Sequence, residues 1–270
     1  MTRFEYGIDY TGELQTDFGK GFNFVNLLRL DGRLNVTDRL HLDIATLTAL
    51  RTNEHIVPDL QVFSSLVSPE QIPLTLAVAG LTYDLPTRRN SHTLFFGVRN
   101  TGEDYFASPL TAFFANSSCG IYPTISANFP IASYPYAAMA LHYEYDSRHW
   151  GAKATIYNGK GRYRFGKGES LFRIDPMMSG LFCMAQAEYK YKGSSYFLGG
   201  SLYKDSPTLW AYAEQQAFSN ASCSLQLIGC YAYSPTPAAI CRHFAGIGGK
   251  LTVRKIEIGL FTDYADFGGA

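Results

Sequence analysis

The sequence predicts an all-β chain, an antiparallel transmembrane β-barrel of porin-like architecture, on three observations. Apolar and polar residues alternate with a period of two over segment after segment, which is the period of a strand with one apolar and one polar face. These segments mostly run to about 9 to 12 residues, the length a tilted strand needs to cross a bilayer, where soluble strands average about 5 to 6. Tight turns fall on alternate connections, and Tyr143, Tyr145, Trp150, Tyr189 and Tyr191 stand near strand ends, where interfacial aromatic girdles sit. Parity alone does not tell an outward apolar face from an inward one, so a soluble sandwich reads the same residue by residue. Strand length, turn placement and aromatic placement favour the barrel.

The alternation can be followed along the chain. Phe24, Leu28, Leu30, Leu34 and Val36 share one parity while Arg29, Asp31, Arg33 and Asn35 share the other. Leu40, Leu42 and Ile44 then oppose Arg39, His41 and Asp43, and the intervening Asn-Val-Thr-Asp supplies a turn, so the two segments form a hairpin. Leu94, Phe96 and Val98 oppose Thr93, Gly97 and Arg99. Met139, Leu141, Tyr143 and Tyr145 oppose His142 and Glu144, and Trp150, Ala152, Ala154 and Ile156 oppose Lys153, Thr155 and Tyr157. Leu181, Ala185, Ala187, Tyr189 and Tyr191 oppose Gln186, Glu188 and Lys190. Tyr196, Leu198 and Leu202 oppose Ser195, Ser201 and Tyr203, and Ile256, Ile258, Leu260 and Tyr264 oppose Glu257 and Asp263. About a dozen strands are expected, in one domain over residues 1–270.

Composition narrows the function classes. Only 17% of the 270 residues are charged, against about 25% in an average soluble domain. The 23 Lys and Arg cancel the 23 Asp and Glu, which excludes a nucleic-acid partner, since phosphate binding needs a cationic excess. With 19 Tyr and 19 Phe the chain is not disordered. The longest stretch free of charge and His, Tyr105 to Leu141, is broken by Pro109, Pro123, Pro130 and Pro135, so no helical span is expected. The opening MTRFEYGIDY has no apolar run with a cleavage site and is expected to carry no export signal. Cys119, Cys183, Cys223, Cys230 and Cys241 contain no C-x-x-C pair, so neither a metal nor a cofactor is expected, and at most one disulfide.

One segment departs from the pattern. Asn100 to Tyr136 is rich in Pro, Ser, Asn and aromatics and does not alternate. A connection of this length inside a domain usually has a function, and its aromatic content argues for order. In a wide barrel such a loop folds into the lumen and narrows it.

Around this segment the order of motifs resembles the carbohydrate-selective porin family of bacterial outer membranes, the OprB type. It opens with Tyr10, Gly12, Glu13 and Leu14. A strand end at Val98 to Asn100 is followed by Asp104, Phe106 and Ser108, then by Phe114, Asn116, Ser117, Ser118 and Gly120. Ala127 to Pro130, Tyr134-Pro135 with Ala137 and Ala138, Tyr157-Asn158-Gly159, Tyr212 to Gln216 and Tyr233 to Pro235 continue the series. The resemblance implies a barrel of about sixteen strands through which sugars diffuse past an inward-folded loop. It also implies the bacterial outer membrane as location, outer-membrane lipid and lipopolysaccharide as surroundings, and a homotrimer as the usual assembly. This chain has room for about twelve or thirteen strands. It ends in Asp-Phe-Gly-Gly-Ala without a terminal aromatic, so a C-terminal truncation or a degenerate relative is expected rather than a complete pore, and it carries Cys119 where the family usually has an aromatic residue.

Sugar selectivity needs rings against the apolar faces of a pyranose, and charged or amide groups that exchange hydrogen bonds with hydroxyls. The polar parity supplies Arg29, Asp31, Arg33, Arg39, His41, Asp43, Arg99, Glu144, Lys153, Gln186, Glu188 and Lys190, with Phe95, Tyr157, Phe197 and Tyr203 among them. Arg99, Asp104, Asn116 and Asn128 are the expected constriction, because they lie at or in the long loop. For any one of these, a plain role as a solvated wall residue pairing across strands is the competing reading. Gly161 to Gly168 (GRYRFGKG) imitates a phosphate-binding loop but lacks its terminal hydroxyl and a following helix, and reads as a flexible cationic surface loop, a place to hold lipopolysaccharide phosphates. No catalytic motif occurs and no enzyme is expected. The expected function is passive diffusion of sugars or similar small polar solutes. The alternatives are a soluble or periplasmic lectin-like β-sheet module and a structural barrel plugged by its own loop.

Overall fold

Residues that alternate this regularly pair as strands, and the computed structural model, which describes residues 3–19, 21–53, 64–68, 70–165 and 169–268, is built almost wholly from one antiparallel sheet. Its strands are β1 (Phe4–Thr16), β2 (Phe22–Asn35), β3 (Leu40–Arg51), β4 (Ile72–Pro86), β5 (Asn90–Arg99), β6 (Ala138–Ser147) and β7 (Trp150–Asn158). They continue with β8 (Leu181–Tyr191), β9 (Ser194–Tyr203), β10 (Ser206–Ser219), β11 (Cys223–Tyr233), β12 (His243–Val253) and β13 (Ile256–Asp266). Each pairs with its sequence neighbours in the order β1 to β13, an up-and-down meander without crossover. The thirteen strands are 9 to 15 residues long, as the alternation predicts. β1 and β13 are not hydrogen-bonded to each other, so the sheet is open at these two edges.

The structure resolves what parity left undecided. Leu30, Leu42, Ile44, Leu81, Phe96, Leu141, Ile156 and Leu198 are exposed, with Leu198 at 67%, and the aromatics Tyr143, Trp150 and Tyr189 stand on the same outward parity. His41, Thr82, His142, Thr155 and Gln186, on the opposite parity, are buried. An apolar face turned outward over successive strands is the inverse of a soluble sandwich, which hides its apolar parity between sheets. It is the distribution of a barrel wall in lipid.

Two features were not legible from the alternation. In β4, the longest strand, consecutive Ala77 and Val78 are both buried, and the β3–β4 register shifts between Ala45 and Thr46. A bulge of this kind puts neighbours on one face and breaks the period of two. At Gly199, opposite Trp210 in the β9–β10 pair, an added Cβ would lie 2.4 Å from the indole. The missing side chain is the space the indole occupies.

The connections divide by end. β2–β3, β4–β5, β6–β7, β8–β9, β10–β11 and β12–β13 are all joined by short turns at one end of the sheet. The other end carries the long connections after β3, β5, β7 and β11. The longest, residues 100–137, holds three short 3-10 turns and the single-turn helix α1 (Pro123–Ser126), and lies against the inner wall. Tyr105 Oη bonds Thr155 on β7 and donates to the Met184 carbonyl on β8. Ser108 donates to Glu214 on β10, Ser118 to Asp263 on β13, and Asn128 to the Cys241 carbonyl between β11 and β12. The cysteines are all free thiols, so the single disulfide allowed for does not form. No helix among the described residues is long and apolar enough to cross a membrane.

Candidate functional site

The inward parity of β2 places Arg29, Asp31 and Arg33 two residues apart on one face, and register brings partners to them from both sides. Glu5 of β1 and Asp43 of β3 flank Arg33, while Gly7 and Ala45 flank Asp31. Through Val78 on β4 the row containing Asp31 reaches Arg99, the last residue of β5. These side chains, with Glu103 from the start of the long loop, line a cavity of about 400 Å³.

Every arginine in it is paired. Arg29 donates to Asp31 at 2.9 Å through Nε and to Glu103 at 2.7 Å through Nη1. Arg33 donates to Asp43 at 2.6 Å, and Thr82 donates to the other oxygen of the same carboxylate. Arg99 forks onto Asp104 at 2.7 and 2.9 Å while its guanidinium lies 4.6 Å from the centre of the Phe95 ring. Such charge-assisted forks fix orientation as well as energy.

Asp104 is the hinge between cavity and loop. Its side chain is 1% exposed. Besides Arg99 it accepts from Tyr157 Oη at 3.4 Å and lies 3.5 Å from His142 Nε2, and its carbonyl accepts from Lys153 Nζ at 3.1 Å. Lys153 also pairs with Glu144 at 3.5 Å. Behind this knot Tyr105, Phe106, Tyr122, Phe129, Trp210, Tyr212 and Phe244, with Ile125, form one buried, largely aromatic cluster between the loop and β8, β10 and β12. Farther along the loop, burial pushes the Cys119 thiol up to about 12 and the Tyr134 phenol likewise to about 12.

No protein-family model matches the chain, and no curated protein does. Solved structures do. The high-pH structure of OprB from Pseudomonas putida superposes with a TM-score of 0.78 over 97% of this chain and 75% of its own, at 13% sequence identity. The low-pH structure of the same protein gives 0.60 over 97% and 77%, at 12% identity. The fold is that of an outer-membrane porin.

Within this porin fold the expected site residues separate into three groups. Arg29, Asp31, Arg33, Asp43 and Arg99 meet at the cavity. Asp104, Glu144, Lys153 and Tyr157 stand behind it as the loop's anchorage, and Tyr157 is fully buried. Asn116, Asn128 and Glu188 do not line it. Asn116 opens the 3-10 turn at Ser117–Cys119, Asn128 clamps the Cys241 backbone through both ends of its amide, and Glu188 accepts from Ser195. Arg39 is not on the inner wall, because it sits exposed in the β2–β3 turn.

The rings expected to stack on a sugar are also corrected. Phe95 is 1% exposed beneath Arg99, and Phe197 is stacked on Tyr212 at 4.0 Å. The 161–168 segment is only partly a solvated cationic loop. Arg162 is buried against Asp175 and Ser179, Arg164 is exposed beside Tyr163, and Gly166 to Gly168 lie outside the described residues, as does the chain end at Gly269 and Ala270. Glu5 and Glu103 were not anticipated. Glu5 was legible from its register opposite Arg33, and Glu103 only from where the loop folds.

Proposed function

We propose that this chain walls a passive outer-membrane channel that passes neutral polyhydroxylated solutes, sugars among them, along the Arg29–Arg33–Arg99 cavity. The observation that carries this reading is the pairing of every cavity arginine with a carboxylate. A lining of paired charges presents little net field to an ion, yet offers dense donors and acceptors that exchange with hydroxyls. An apolar outer face with a polar inner wall suits diffusion through the wall's interior. The loop sets the size of the passage and the arginine wall its chemistry. Short turns then face the periplasm and long connections the exterior, beside lipopolysaccharide.

Planar-bilayer recordings on the full chain test it. Ion conductance that falls as a neutral sugar is added is the expected result, and no conductance, or conductance indifferent to sugar, overturns it. A second reading, a barrel plugged by its own loop, is favoured by the aromatic cluster that fills the β8–β12 side. Arg29→Gln separates the two, since it shifts ion selectivity in a channel and changes nothing in a plug. The soluble lectin-like alternative conflicts with the outward apolar parity.

A further inference from the structure

The rim formed by the short turns carries a charge pattern that the channel does not use. Its turns hold Arg39, Arg88 and Arg89, Arg148, Lys192, and Arg254 and Lys255, all exposed, against one acidic residue, Asp38. None of these seven cations forms an ion pair among the described residues. At the opposite end Arg162 and Arg173 share Asp175 and Arg164 faces Glu70, while Lys160 and Lys204 stand exposed. The short turns thus carry an excess of seven cations over one carboxylate on a chain whose formal net charge is zero.

Just inside that rim stands an outward aromatic group. Trp150 lies 4.9 Å from Tyr189, which in turn lies 6.4 Å from both Tyr191 and Tyr196. Amphipathic rings of this kind mark the boundary between hydrocarbon and headgroups. Turn cations one or two residues beyond them stand at the level of lipid phosphates. Between the β6–β7 and β8–β9 turns a groove of about 600 Å³ opens, lined by Arg148, His149, Lys192 and Ser195. Lys190, also in its lining, is committed to Asp146 and Glu188, whereas among the described residues Lys192 meets the Tyr191 ring, 5.2 Å away, and no carboxylate.

We infer that this rim binds anionic phospholipid headgroups, with the groove between Arg148 and Lys192 as its principal phosphate site. The inference rests on the membrane-barrel reading and adds to it a lipid preference on the leaflet facing the short turns. Each Lys or Arg near an anionic surface contributes about 1 kcal/mol, or about fivefold in binding.

Trp150 supplies the readout, because the other tryptophan, Trp210, is buried against the loop on the inner side. The full chain is reconstituted with phosphatidylcholine or phosphatidylglycerol brominated on the acyl chain near the carbonyl, at equal mole fraction and low salt. Several-fold stronger apparent binding of the phosphatidylglycerol, from quenching of Trp150, is expected. The preference should fall toward equality in the Arg148→Gln/Lys192→Gln variant and survive in Arg148→Lys. Equal quenching by the two lipids in the unsubstituted chain overturns the lipid site and leaves the barrel standing. Absence of quenching by either lipid overturns both.

Discussion

The two sides of the lumen are built on different physics. On the β8–β12 side the loop meets the wall through rings: Phe106 lies 4.3 Å from Tyr122 and 5.2 Å from Trp210, and Tyr122 lies 4.9 Å from Phe244. On the β1–β5 side the same loop meets the wall through ion pairs, Arg29 with Glu103 and Arg99 with Asp104, and an open cavity is left beside them. Apolar packing is non-directional and closes space, whereas paired charges hold groups at fixed separations and keep polar surface reachable. One loop therefore both packs against the inner wall and bounds an open cavity, and the cavity lies where the contacts are ionic.

The largest effect is expected on the packed side. Trp210→Ala removes a 2%-exposed indole together with its bond to Gln186 at 3.0 Å and the cover over Gly199. Truncating a buried aromatic costs about 3 to 5 kcal/mol. Thermal unfolding in detergent should show a lower midpoint, and single-channel traces a larger, noisier conductance as the loop loses its bed. A normal midpoint with unchanged traces would mean that the cluster does not hold the loop.

Asp104→Ala attacks the ionic side. It leaves the Arg99 guanidinium without its carboxylate and the Tyr157 hydroxyl without its acceptor. Breaking a buried pair by removing one partner costs about 3 to 5 kcal/mol. The lower end applies, because Arg99 keeps 18% of its side chain exposed and can turn to water. Conductance should rise with anion selectivity, as an unpaired cation now faces the cavity. If the midpoint falls and selectivity stays put, the pair only anchors the loop.

How far this division was legible in the sequence follows from the range of the interactions. The strands were readable because alternation is local, and Arg29, Asp31, Arg33 and Asp43 were readable as members of the polar face for the same reason, whereas which way that face turns was not. The β4 bulge escaped because one extra residue cancels a period of two. Glu103 and the burial of Tyr157 escaped because they depend on where a loop without alternation comes to rest, some 70 positions from its partner Arg29. Asn128 is the instructive error. An Asn in a pore loop looks available to a solute, but its amide is consumed by the Cys241 backbone, 113 positions away.

Arg33→Gln tests the open cavity itself with little effect on the fold. Arg33 is 42% exposed, so its pair with Asp43 is screened and worth less than about 1 kcal/mol. Its removal leaves Asp43 and Glu5 without a facing cation on β2. Reversal potentials in a salt gradient should move toward cation selectivity while the unfolding midpoint stays near that of the unsubstituted chain. A fixed reversal potential would place the ion path away from this wall.

The smallest effect belongs to neither side of the lumen but to the β7–β8 connection above it. There the Ser179 hydroxyl, aided by Asn158, Arg162 and Arg173, holds the Asp175 carboxyl below its usual range. A carboxyl depressed by folding adds stability that is fully present above its unfolded value of about 3.9, and loses it as pH falls through the lower folded value. Acid titration should therefore loosen this connection below about pH 4, read as faster proteolysis between Asn158 and Leu181 in detergent. Asp175→Asn should remove the pH dependence there and leave the arginine cavity untouched. If the acid response survives that substitution, the sensitivity resides elsewhere in the chain.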